Sequence, residues 1–156
     1  MAKMEESSPP SLHAISLMLT PEQFNTRGAG KLPGYLGIVI LESSESEIRA
    51  ELRIEGHHMA PNGFLHAGTV VTLADTTAGY GCIGSLPAGA NGFTTVELKS
   101  NHLGTARDGV IESVARPVHR GRTTQVWDAT VTHRESGRTL ALFRCTQMIL
   151  YPRGER

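Results

Sequence analysis

The sequence predicts an α+β domain in which a long antiparallel sheet curls around one buried helix. Three observations lead there. A proline-free segment from His66 to about Ile83 carries Val70, Val71, Leu73, Ala74, Ala78 and Tyr80 around the helical wheel, so it reads as a helix buried on most sides. Ahead of it, Ile48, Ala50, Leu52 and Ile54 alternate with Arg49, Glu51, Arg53 and Glu55, the period of a half-exposed strand. Behind it, four more strand-length runs follow without a second long helix.

Taken in order, residues 1–10 are polar and end in Pro9-Pro10, a flexible leader, and 11–156 are expected to form one domain. Ser11 to Met18 suits a short helix. Thr20-Pro21-Glu22-Gln23 has the form of a helix start, with Thr20 as cap, Pro21 at the first helical position and Gln23 closing a capping box. This helix is over by Gly28. Arg27-Gly28-Ala29-Gly30-Lys31 lacks the strand and the Ser or Thr of a phosphate loop and reads as a turn, continued by Pro33-Gly34. Tyr35 to Glu42 is a strand, joined through Ser43-Ser44-Glu45-Ser46 to the alternating one. After the central helix and a turn at Pro87 to Gly92, strands are expected over Phe93–His102, Val110–Val118, Thr123–His133 and Thr139–Leu150.

A chain of 156 residues suffices for one domain that buries about two-thirds of its unfolded surface without staples. Fifteen basic and fifteen acidic side chains balance, so no global field recruits nucleic acid or an anionic membrane. No apolar run approaches the ~20 residues of a membrane span. Cys82 and Cys145 lie in apolar segments without a CxxC pattern and no secretory signal is read at the N-terminus, so reduced thiols in a cytoplasmic protein are expected. The seven histidines show neither HExxH nor Cys/His ligand spacing, and no serine sits in a G-x-S-x-G elbow. No metal or other cofactor is expected. Trp127, Met148, Ile149 and Leu150 belong to core or interface.

Asp75 is the one carboxylate of the apolar helix. An ionised aspartate there costs several kcal/mol unless it is paired, hydrated or functional, and its pKa is easily raised. The plain alternative is a structural aspartate hydrogen-bonded to Thr76, Thr77 or the backbone.

His66-Ala67-Gly68 at the helix start and Asp75 eight residues beyond Ala67 resemble the signature of the PaaI-type acyl-CoA thioesterases, in which His-Gly-Gly precedes an Asp or Glu at that distance. Thr94-Thr95-Val96-Glu97-Leu98, followed by Asn101-His102-Leu103, looks like that family's third strand, and His119 to Thr124 like its coenzyme-A-side hairpin. The resemblance covers roughly residues 34 to 150 and implies the hotdog fold, an acyl-CoA substrate and a homodimer or dimer-of-dimers homotetramer. Two departures stand out. Ala67 replaces the first glycine, and the Asn or Gln found six positions before the histidine corresponds to Ala60, so its substrate-orienting role passes to Asn62, His57 or His58, or is lost.

On this reading the amides of Ala67 and Gly68, at the positive end of the helix, are donors to a thioester oxyanion. Eight residues at a rise of ~1.5 Å put Asp75 about 12 Å along the same helix, whereas attack needs contact within ~3–3.5 Å. Two antiparallel copies of the helix, one from each of two protomers, satisfy both requirements. Asp75 serves as nucleophile or as general base for water. Thr95 holds the water or orients the carboxylate, or is an ordinary strand threonine. His66 fixes the helix start rather than acting as a base. Arg120, Arg122 and Thr123 are candidates for the phosphates and pantetheine of coenzyme A. Two rivals remain: a hydratase or dehydratase, which would carry a His where Tyr80 stands, and a non-catalytic acyl-CoA-binding module, which has no use for Asp75.

Overall fold

The computed structural model describes residues 18–152. The expected leader, and the helix expected over Ser11–Met18 apart from its last residue, lie outside them. Helices α1 (Pro21–Gly28) and α2 (Leu32–Tyr35) precede strands β1 (Val39–Ser43) and β2 (Ile48–Arg53). A 3₁₀ turn at Gly56–His58 leads to α3 (Ala67–Gly84), and β3 (Gly92–His102), β4 (Val110–Arg120), β5 (Thr124–His133) and β6 (Thr139–Leu150) complete the chain. The six strands form one sheet in the order β1-β2-β4-β5-β6-β3, every neighbouring pair antiparallel. This is the expected α+β arrangement, a sheet against a central helix.

Local chemistry accounts for most boundaries. Thr20 and Gln23 form the reciprocal capping box of α1, with Gln23 N–H donating to Thr20 Oγ1 at 3.3 Å and Thr20 N–H to Gln23 Oε1 at 2.9 Å. Two expectations need correction. Leu32–Tyr35 is a helical turn with a proline in its first two positions, so Pro33 seeds a helix where a simple turn was expected. The strand expected from Tyr35 therefore starts only at Val39, after Gly37 breaks the chain at φ +70°.

Val70, Leu73, Ala74, Ala78 and Cys82 of α3 are buried against the inward residues of the sheet, among them Ile111, Ala115, Trp127, Ala129 and Cys145. Trp127 is the largest wholly buried side chain, and its indole N–H donates to Gln125 Oε1 at 2.8 Å. Gln125 in turn donates to the Ser85 carbonyl at 2.9 Å, tying the end of α3 to β5. Met148 and Leu150 lie on the sheet's outer face, whereas Ile149 is core.

The helix and the indole meet at Gly81. A Cβ built there would stand 2.4 Å from Trp127 Cζ3, closer than real atoms approach. Gly81→Ala should therefore overpack the core and cost about 1–3 kcal/mol in urea unfolding, despite alanine's better helix propensity. An unchanged midpoint would mean that the Trp127 ring has room to move.

Candidate active site

The N-terminal end of α3 is built by His66. As N-cap, its Nδ1 accepts the Gly68 N–H at 2.8 Å, and its own N–H donates to the His58 carbonyl at 3.0 Å. Thr69 Oγ1 adds a bond to the same carbonyl at 3.1 Å. Gly68 permits the close cap, since a Cβ there would lie 2.9 Å from Nδ1. The Gly68 amide expected as an oxyanion donor is thus occupied by His66 in this arrangement. The exposed Ala67 amide has no acceptor among the described residues.

The loop before the helix places the three candidates for the missing amide. Asn62 is exposed and its Oδ1 accepts the Phe64 N–H at 3.2 Å. His58 is buried, Nδ1 accepts the Glu55 N–H at 2.9 Å, and burial holds its pKa below the ordinary histidine value. Its Nε2 is buried with no hydrogen-bond partner among the described residues. His57 is exposed, 3.6 Å from Glu55.

Asp75 is half-buried in the middle of α3, and its Oδ1 is buried with no hydrogen-bond partner among the described residues. Thr77, a candidate partner in the structural alternative, instead spends its hydroxyl on the Leu73 carbonyl at 2.6 Å. Burial, with no compensating donor, pushes the Asp75 carboxyl above the usual carboxylate range. The nearby thiols are no nucleophiles: burial pushes Cys82 and Cys145 up to about 12, and the charge of Asp75 adds to the effect at Cys145.

Asp75 opens onto a cavity of about 180 Å³ between α3 and β3. The helix contributes Asp75, Thr76, Gly79, Tyr80 and Ile83, and the strand Phe93 and Thr95. Thr95 thus shares the cavity of Asp75. Its hydroxyl donates to Gln147 Oε1 at 2.8 Å, and a bulge between Thr95 and Glu97 sets its aim. A larger cavity of about 390 Å³ lies on the outer face of the sheet beside Asp128 and Arg144, which form a bidentate ion pair at 2.5 and 2.7 Å. Asp128, the one carboxylate that lines it, is already paired with Arg144, so it offers nothing comparable to Asp75.

Arg120, Arg122 and Thr123 are exposed at the β4–β5 hairpin. Arg120 donates to the Glu45 carbonyl at 3.1 Å, and the Arg122 guanidinium lies 5.8 Å from the Tyr151 ring centroid. Through Gln125 and Ser85 this hairpin adjoins the C-terminal end of α3, whereas Ala67 begins the other end. At ~1.5 Å per residue the helix separates those ends by ~25 Å. One chain therefore unites Asp75 with Thr95 and leaves the helix start and the arginines apart.

Sequence reasoning missed Gln147, Gly79 and Phe93. Gln147 had a signal, since it interrupts the inward run Ala141, Phe143, Cys145 and Ile149 with a wholly buried amide. Among the described residues no group of three or more His, Cys, Asp or Glu side chains is placed to hold a metal, and no helix is long and apolar enough to cross a membrane.

A family model described as the thioesterase superfamily matches residues 62–140. The 1,4-dihydroxy-2-naphthoyl-CoA hydrolase of Escherichia coli is 31% identical over 135 residues, covering 85% of this chain and 96% of that protein. The Listeria monocytogenes protein of the same name is 32% identical over 109 residues, 70% of this chain and 85% of its own. Among solved structures, a mutant thioesterase from Pseudomonas aeruginosa superposes with a TM-score of 0.80 at 27% identity, covering 85% of this chain and 94% of that one. The Escherichia coli PaaI protein shares the fold, with a TM-score of 0.72 at 19% identity and coverage of 85% and 96%.

Proposed function

Because the chain belongs to the thioesterase superfamily as a PaaI-type hotdog thioester hydrolase, we propose that it cleaves acyl-CoA thioesters with Asp75 as the reacting carboxylate. The observation that carries this reading is the buried, unpartnered Oδ1 of Asp75 beside a cavity that also exposes Thr95. A carboxylate with a raised pKa and no donor is a stronger base than an exposed one, suited to take a proton from water or to attack the thioester carbon itself. Thr95, whose own proton goes to Gln147, offers its lone pairs to a water between the two residues.

The second half of the site comes from a partner protomer. β3 is the sheet's terminal strand, eleven residues long, with Val96 and Leu98 exposed at 55% and 42%. A long, uncovered edge strand of this kind pairs with another strand, and antiparallel pairing of two copies makes a closed two-fold dimer. The same operation runs the two α3 helices antiparallel and brings Ala67 of one toward Asp75 of the other. The Ala67 amide then receives the oxyanion at the positive helix end, and Asn62 and the capping residue His66 border the thioester. Pairing of such dimers into a tetramer is compatible with this site and adds nothing to it.

The direct test is release of free thiol from a panel of acyl-CoAs, run beside hydration of an enoyl-CoA. Thiol release supports the proposal; hydration without thiol release would replace it with a hydratase.

The phosphates of coenzyme A fall to Arg120 and Arg122, which stand exposed with Thr123 on the hairpin. Replacing both arginines by Gln should raise KM for an acyl-CoA more than for the matching pantetheine thioester, and the difference should shrink as salt rises. An equal effect on both substrates would take the arginines out of phosphate binding.

A further inference from the structure

We propose that Gln147 is a positioning residue for the Asp75 site: by taking the Thr95 hydroxyl proton, it keeps that proton from the carboxylate and leaves the Thr95 oxygen to act only as an acceptor. The inference rests on the thioesterase reading of that site. It goes beyond it by giving a role to a buried amide that does not itself line the cavity.

Three hydroxyl-bearing residues border the cavity with Asp75: Thr76, Tyr80 and Thr95. Thr76 follows Asp75 on α3, ~100° further round the helix. Tyr80 stacks its ring on Phe24 of α1, and its hydroxyl lies against Gly28, where a Cβ would come within 3.1 Å. Thr95 alone comes from the opposite wall, on β3. A hydroxyl so placed would ordinarily donate to a buried carboxylate. Asp75 Oδ1 nevertheless has no partner among the described residues, and the Thr95 proton goes to Gln147 Oε1 at 2.8 Å.

The amide of Gln147 is held in this sense from behind. Gln147 is wholly buried on β6, directly opposite Thr95 on β3 and Gln125 on β5. Its Nε2 donates to Cys145 Sγ at 3.2 Å, so its oxygen is the end turned to Thr95. Gln125 does not compete for that oxygen. Its own NH₂ donates to the Ser85 carbonyl at 2.9 Å, and its oxygen takes the Trp127 indole N–H at 2.8 Å and the Ser85 hydroxyl at 3.2 Å.

A hydroxyl carries one proton, so once Gln147 holds it Thr95 can only accept. The carboxylate then lacks the hydrogen bond that would stabilise its charge, and stays reactive as base or as nucleophile. Among the described residues no other charged side chain lines the cavity. The titratable groups beside Asp75 are Tyr80 and the Cys145 thiol, and burial keeps both protonated across the neutral range. Arg27 of α1 acts on Tyr80 and Glu97 of β3 on Cys145, while Asp75 itself is shifted by burial alone.

The test is a pH titration of the Asp75 carboxyl carbon by NMR, its signal identified by its loss in Asp75→Asn, run beside kcat and KM for the best acyl-CoA of the panel above. Gln147→Leu keeps most of the side chain's bulk and removes the acceptor, freeing the Thr95 proton for Asp75. Proton binding at Asp75 should weaken by about tenfold, a midpoint about one pH unit lower. As the carboxylate becomes a weaker base, kcat should fall by a similar factor with KM little changed. In a Thr95→Val background there is no hydroxyl to release, so Gln147→Leu should move neither quantity further. A midpoint unmoved by Gln147→Leu, or moved as much without the Thr95 hydroxyl as with it, overturns the proposal and leaves the thioesterase standing. If Gln147→Leu does not fold, Thr95→Val alone decides. It should raise the midpoint by less than about one pH unit, and a rise of that size or more would show that the hydroxyl already donates to Asp75 and overturn the proposal. A wild-type protein that hydrolyses no acyl-CoA overturns the thioesterase reading, and the titrations still judge the withheld proton.

Discussion

Asp75→Asn should lower kcat for thioester hydrolysis by about 10²–10⁴-fold while a non-hydrolysable acyl-CoA analogue binds almost as before. The amide keeps the shape of the carboxylate and loses its ability to accept a proton or form an acyl intermediate. Stability should move the opposite way from activity. The folded-state pKa of Asp75 is raised, so above its unfolded pKa the folded protein holds a proton that the unfolded chain has released, and stability falls as pH rises through that window. At neutral pH the ionised, unpartnered carboxylate is a cost to the fold, and the neutral amide relieves it. The melting temperature of Asp75→Asn should therefore equal or exceed that of the wild type at pH 7, with the gap closing as pH falls toward the ordinary carboxylate range. A structural aspartate predicts lost stability and kept turnover; that pair of results would end the role assigned here to Asp75.

Mixing two inactive variants should restore activity. Asp75→Ala removes the carboxylate, and Gly68→Val forces a side chain into the space of the His66 ring, which lies 2.9 Å from a Cβ at residue 68, and so disorders the helix start. If each site takes Asp75 from one protomer and the start of α3 from the other, a mixed dimer carries one intact site and one doubly damaged site. Random reassortment of equal amounts makes half the dimers mixed, so about a quarter of wild-type activity should return. Mixed dimers that form, as shown by differently tagged chains, and yet stay inactive would place the whole site within one chain.

The central helix and its carboxylate were legible because their signals are local. A proline-free apolar run of this length favours a helix, a lone acid within it stands out, and the expected span of His66 to Ile83 differs from Ala67–Gly84 by one residue at each end. The last strand, Thr139–Leu150, was read at both ends because charges and turn residues bound it. What the sequence hid was pairwise. Gly68 is an open amide on a helical wheel and a capped one once the His66 ring folds back over it, a choice between two neighbouring acceptors that residue types do not decide. Tyr35 has strand propensity, and only the turn seeded by Pro33 and ended at Gly37 holds it in α2. The partnership of Thr95 with Gln147 spans 52 residues and depends on a bulge with no marker of its own.

Tyr80, on the wall of the Asp75 cavity, stacks on Phe24 of α1 with ring centroids 4.6 Å apart, and that brace divides the labour of this chain along its length. The stretch matched by the family model begins at residue 62 and contains Asp75 and Thr95, whereas Phe24 and Pro33 lie upstream of it. Substitutions at Phe24 or Pro33 should therefore reshape one wall of the cavity while leaving the acid, its threonine and the helix start in place, so the outline of the site is set in part by residues outside the stretch that carries its chemistry.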